Sequence, residues 1–133
     1  MPAPLIKEPH LVLVASSKST VGQMTPEKIR NLYLGTAILI NGQSVKPLLN
    51  YSDGYSQEMF MQKVMLMSTH AYEYRIISHV FRKGGNRPPV YTGVHKLINA
   101  LKTNQNAVTY MYSDEAGAHP DLKIINILWE DKD

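Results

Sequence analysis

Between a stretch that reads as a strand and one that reads as a helix lies Tyr51-Ser52-Asp53-Gly54-Tyr55-Ser56-Gln57. A turn that opens a helix leaves backbone N–H groups without intrahelical partners, and the helix dipole adds partial positive charge there. Hydroxyls at Ser52, Tyr55 and Ser56 would add donors. This is chemistry for holding a small oxyanion. Ser52, Asp53, Gly54, Tyr55 and Ser56 are therefore the first candidate ligand contacts, with Asp53 accepting a hydrogen bond from a protonated anion. The plainer account is a turn and N-cap, in which Asp53 and Ser56 satisfy the helix start. A second, weaker set is Ser16 and Ser17, in the polar loop Ser16-Ser17-Lys18-Ser19-Thr20. That loop follows a strand end, where layered α/β domains place ligands, and its hydroxyls would face the same ligand.

Other chemistries find little support. The chain has no cysteine, which removes thiol catalysis and disulfides. His10, His70, His79, His95 and His119 include no pair at the spacing of a helical metal site, so no metal is expected. No nucleophile elbow or other compact catalytic signature is present, and neither catalytic residues nor a cofactor are expected. The basic glycine loop Arg82-Lys83-Gly84-Gly85-Asn86-Arg87 lacks the strand before it and the terminal Lys-Ser/Thr of a P-loop, and reads as a solvated loop. The net charge of +3 mildly favours anionic partners. Basic residues are scattered rather than arrayed in a stripe, and tyrosines do not interleave with them, which argues against nucleic acid. Met59, Met61, Met65 and Met67 read chiefly as core filler, with Met61 and Met65 sharing a less buried face that would suit a hydrophobic partner.

The elements that must position these residues follow from periodicity. Leu11–Ala15 is a short apolar run, a buried strand of a parallel or mixed sheet. Thr25-Pro26-Glu27 starts a helix with a hydroxyl cap, proline at the first position and an acid in the first turn; Ile29, Leu32 and Tyr33 share its face and Gly35 stops it. Ala37–Ile40, the Asn41-Gly42 turn and a returning strand Val45–Tyr51 make a hairpin-like stretch. Helices are expected over Ser56–Met67, from a Ser68 or Thr69 cap to about Phe81 with Tyr72, Ile76, Ile77 and Val80 inward, and after a Thr92 cap through Leu101. Ala107–Tyr112 alternates as a strand and Leu122–Trp129 is a final strand. Strands separated by helices predict a layered α/β domain. With 133 residues, 44% hydrophobic and 19% charged, the chain suits one domain over residues 1–133, with 1–10 expected as a flexible N-terminal segment. No apolar run is long enough to span a membrane. Met1 leads into Pro2, Ala3 and Pro4 without a secretory signal pattern.

Taken in order, these segments resemble the small phosphate ABC transporter substrate-binding-like proteins, part of the type 2 periplasmic binding protein fold. The resemblance runs from about Leu11 to Leu128. It is carried by Thr25–Gly35 with Leu32-Tyr33-Leu34-Gly35, by Asn41-Gly42 and Val45-Lys46-Pro47, and by Ser52-Asp53-Gly54 with Phe60. Phe81, Gly84, Gly85 and Pro88-Pro89 follow, then Asn106-Ala107-Val108-Thr109-Tyr110, where the family has glycine-alanine-isoleucine-glycine-tyrosine. In the full-length receptors the turn reads arginine-serine-aspartate-glycine-serine-glycine-threonine. Here the arginine position is Tyr51, the second serine Tyr55, the glycine Ser56 and the threonine Gln57, so the bidentate cationic clamp is gone.

The resemblance implies one three-layer lobe, a mixed sheet flanked by helices, in a non-enzymatic, solute-binding-like protein. Its expected ligand is phosphate or another small oxyanion. It also implies a periplasmic location after removal of a signal peptide, and a membrane transporter or sensor as partner. A homodimer would complete a half site. The alternative function is a non-catalytic interaction or sensory module that keeps the binding fold and has lost the ligand.

Overall fold

The computed structural model describes residues His10–Glu130. The expectation for the N-terminal segment lies outside the described residues, except that His10 already belongs to the first strand. That strand, β1 (His10–Ser16), is buried from Leu11 onward. It sits inside a four-stranded sheet, between β7 (Ala107–Tyr112) and β8 (Leu122–Glu130), with β4 (Lys46–Pro47) on the far side of β7. A strand covered on both faces reads as a continuous apolar run, which is what Leu11–Ala15 provides. Leu11, Leu13 and Ala15 pack into one cluster with Ile29, Tyr33, Phe60 and Tyr72. Val12 and Val14 pack into another with Leu97, Leu101 and Met111. The sheet is thus the middle of three layers.

The sheet is mixed. β4 runs parallel to β7, whereas β1 runs antiparallel to both β7 and β8. Two register shifts let the nine-residue β8 follow the shorter β1. β7 is buried along its whole length, not alternately, because it lies between β4 and β1 and is covered on both faces. The expected hairpin forms only over β2 (Leu39–Ile40) and β3 (Gln43–Ser44), across Asn41 and Gly42, both at positive φ. The returning strand then leaves the hairpin. Lys46 and Leu48 donate their N–H groups to Asn106 and Val108 of the β7 segment. Pro47, with no N–H to give, sits where an edge strand tolerates it. The chain continues as β5 (Leu49–Asn50), which pairs in parallel with β6 (Val90–Tyr91).

On one face lie α1 (Pro26–Tyr33), α2 (Gly54–Met59) with the π-helical turn Phe60–Met65 that extends it, and α3 (Thr69–Lys83). The Thr25 side chain caps α1 by accepting from the Lys28 N–H, and Ser68 caps α3 by accepting from Ala71. Gly35 ends α1 at φ +108°, and a Cβ there would approach His79 Nε2 to 2.6 Å. On the other face lie α4 (Val94–Thr103) and the short α5 (Ser113–Gly117), which the sequence pattern does not foretell. The residue capping α4 is Gly93, one past the expected Thr92.

Two burial expectations are corrected. Met61 and Met65 do not share a half-exposed face; both are 1% exposed, because the helix carrying them widens into a π-turn that also buries Phe60 and Val64. Ile77 is not inward; it lies about 100° around the helix from Ile76 and is 57% exposed. The center of the first cluster is aromatic. The Phe60 and Tyr110 rings stack at 3.7 Å, and Tyr33 meets each of them edge-on. Phe60→Ala should lower stability by about 3–5 kcal/mol, measured by urea unfolding, since it empties this junction.

Candidate functional site

The Ser52–Ser56 turn is set by a buried asparagine. Asn50 ends β5 and is 2% exposed. Its backbone N–H donates to the Tyr110 hydroxyl at 3.0 Å, and its side-chain N–H donates to the Tyr110 carbonyl at 2.8 Å. Its remaining oxygen, Oδ1, accepts from the Ser52 backbone N–H at 3.0 Å and from the Ser52 hydroxyl. The turn is therefore fastened to the end of β7 before the helix begins. The Tyr51 N–H donates to Tyr91 and continues the pairing with β6.

Asp53 follows as the N-cap of α2. Oδ1 accepts from the Tyr55 N–H at 3.1 Å, and Oδ2 accepts from the buried Ser56 hydroxyl at 2.8 Å. Its carboxylate also complements the helix dipole. Gly54 and Tyr55 are exposed, and the Tyr55 ring stacks on Tyr112 at 5.3 Å. The five turn residues expected from the sequence thus come together, but the Ser52 and Ser56 hydroxyls donate within the protein, to Asn50 and Asp53. An open groove of about 740 Å³ adjoins Gly54 and Gln57 and reaches Ser68 and Thr69 across it.

Ser16 and Ser17 do not join this turn. β1 is antiparallel to β7, so its C-terminal end lies beside the start of β7, whereas the turn lies near Tyr110 and Tyr112 at the other end. The two sets belong to opposite ends of β7, a six-residue strand roughly 17 Å long. Ser16 is buried and accepts from the Lys18 N–H, while the Ser17 N–H donates to Asp121. The expectation that both loops face one ligand assumed that β1 and β5 end on the same side, and the strand direction overturns it.

A polar cluster beside the turn is the part that sequence reasoning missed. The Tyr51 hydroxyl donates to Glu73 Oε2 at 2.6 Å, and Arg87 holds Glu73 through both terminal nitrogens, one at 2.9 Å. The hydrogen bonds from Arg87 hold the Glu73 carboxyl below its ordinary value of 4.5, and burial together with the Glu73 partner raises the Tyr51 hydroxyl. The only sequence signal was an arginine in a proline-containing loop and a glutamate on the helix face beside Tyr72. Arg87 therefore does not belong to a solvated basic cluster with Arg82 and Lys83, which are exposed. Among the described residues no group of three or more histidine or carboxylate side chains converges to hold a metal.

With this geometry in place, likeness to solved proteins can be weighed. No protein-family profile matches the chain, and no curated protein matches it in sequence. In structure it is similar to an ABC-type phosphate transport receptor from Vibrio cholerae, with a TM-score of 0.65 at 14% identity over 88% of this chain. It is also similar to PstS from Borrelia burgdorferi, with a TM-score of 0.63 at 11% identity over 94% of this chain. The chain spans about half the length of both, 45% and 49%. It therefore has the fold of one lobe of such a receptor.

Because Glu73 is held below its ordinary value, its pairing stabilises the fold above that value and the contribution fades as pH falls through the depressed one. The stability gap between wild type and Glu73→Gln should be largest at neutral pH and close under acid, in urea melts across the range. A gap independent of pH would contradict it.

Proposed function

We propose that the chain is a solute-binding-like protein, periplasmic in location, that takes phosphate or another small oxyanion at the Tyr51–Gln57 turn. The observation that carries this reading is the fastening of the turn. Asn50 and Tyr110 fix the end of β5, and Gly54 and Tyr55 stand exposed at the helix start, with Gly54 on an open groove. The one-lobe fold shared with two phosphate receptors supports it. Asp53 already supplies negative charge at the helix start, so it selects an anion that carries a proton to donate to it. The anion meets one lobe and stays partly in water, so its affinity is weak unless a second copy or a transporter or sensor component closes over it.

A second reading is favoured by a specific observation: the Ser52 and Ser56 hydroxyls are already satisfied within the protein. In it the lobe is a non-catalytic interaction or sensory module that has kept the fold without the ligand.

Thermal unfolding separates the two. With a dissociation constant of about 1 mM, about 10 mM phosphate stabilises the native state by about 1.4 kcal/mol and raises the melting temperature by about 4 °C. The rise should exceed that with sulfate, which carries no proton for Asp53 near neutral pH, and this preference should vanish in Asp53→Asn. No rise with phosphate would favour the second reading.

A further inference from the structure

Helix α3 carries a second apolar face. Tyr72 and Ile76 bury its inner side. On the opposite side Tyr74, Ile77 and Phe81 fall within an arc of about 60° at 100° per residue. They are 72%, 57% and 88% exposed. The solvent side of a surface helix is normally polar, and a contiguous apolar patch there marks a contact surface. A shallow depression of about 650 Å³ runs along it, edged by Arg75 and Arg82. Lys83 completes a cationic end to the helix, next to the exposed Gly84, Gly85 and Asn86. None of the three cations forms an ion pair among the described residues, and the acid on this helix, Glu73, is taken by Arg87.

Charge decides among the occupants. A second copy meeting this face through its own would set Arg75, Arg82 and Lys83 against their duplicates, which opposes pairing. An anionic surface is favoured. Phe81 stands out from the helix end, and a rigid protein would need a matching socket for it. A bilayer interface accommodates a protruding ring without one: the apolar side chains enter the acyl boundary, tyrosine stays at headgroup level, and arginine and lysine reach the phosphates. No helix among the described residues is long and apolar enough to cross a membrane, so this is surface contact. We propose that the outer face of α3, through Tyr74, Ile77 and Phe81 with Arg75 and Arg82 along one edge, docks on an anionic membrane surface.

Co-sedimentation of the whole chain with phosphatidylglycerol–phosphatidylcholine vesicles tests this, with phosphatidylcholine alone as the control. Binding should require the anionic lipid and should fall at high salt. Phe81→Ser should lower the partition coefficient about tenfold by removing the inserted ring. Arg75→Gln with Arg82→Gln should lower it about 25-fold, near fivefold for each cation. Because these side chains point into solvent, unchanged melting temperatures and circular dichroism should accompany both losses. Failure to bind anionic vesicles would overturn the proposal and leave an acidic protein partner as the occupant of this face. Equal binding to neutral vesicles, or binding indifferent to Phe81→Ser, would overturn it too.

Discussion

β1 runs against both of its neighbours, and this direction decides where every loop of the molecule can act. Its residues face two cores at once, with Leu11, Leu13 and Ala15 toward the aromatic cluster and Val12 and Val14 toward α4. Removing it would split both clusters and separate β7 from β8. The same direction sends the Ser16 loop to one end of the sheet and leaves the other end to the strands that run with β7. The Ser52–Ser56 turn is at that second end, and so is Tyr112. The sheet topology therefore separates the two candidate loops, and the anion site proposed above rests on the turn alone.

At that end the buried polar side chains of Asn50 and Ser56 are paired, as low dielectric favours. Asn50 is the center of this arrangement, using its N–H, its amide nitrogen and its amide oxygen on Tyr110 and Ser52. Tyr51 turns its hydroxyl to the Glu73–Arg87 pair and so helps join the turn to α3 and the loop before β6. The cationic clamp is absent from the turn, and the arginine in the neighbourhood is committed to a carboxylate. The Ser52 and Tyr55 N–H groups are also committed within the turn, to Asn50 and Asp53, which leaves an anion few donors there. The anion site proposed above is for this reason a weak, partly solvated one.

Much of the fold was legible in the sequence where a pattern was local. The Thr25-Pro26-Glu27 start, the Asn41-Gly42 turn, the Ser68 cap and the apolar run of β1 each act within a few residues, and each appears where its chemistry predicts. The Ser52-Asp53-Gly54 turn was legible for the same reason, including the role of Asp53 as a cap. Strand direction was not, because nothing local in Leu11–Ala15 distinguishes parallel from antiparallel neighbours. That is why the local pattern alone does not separate Ser16 and Ser17 from the end of the sheet that holds the turn. The Asn50–Tyr110 and Glu73–Arg87 contacts join residues 60 and 14 positions apart, and only tertiary packing brings them together. Ile77 illustrates the converse: its apolar type suggested the core, but the two neighbouring positions Tyr72 and Ile76 had already fixed which side faces inward.

The most direct examination of the anion site is an amide NMR titration with phosphate. The account predicts that the backbone N–H signals of residues 52–57 shift together and saturate in the millimolar range, while those of the Ser16–Ser19 loop stay still. Silence at residues 52–57, or shifts confined to exposed lysine and arginine positions, would contradict it.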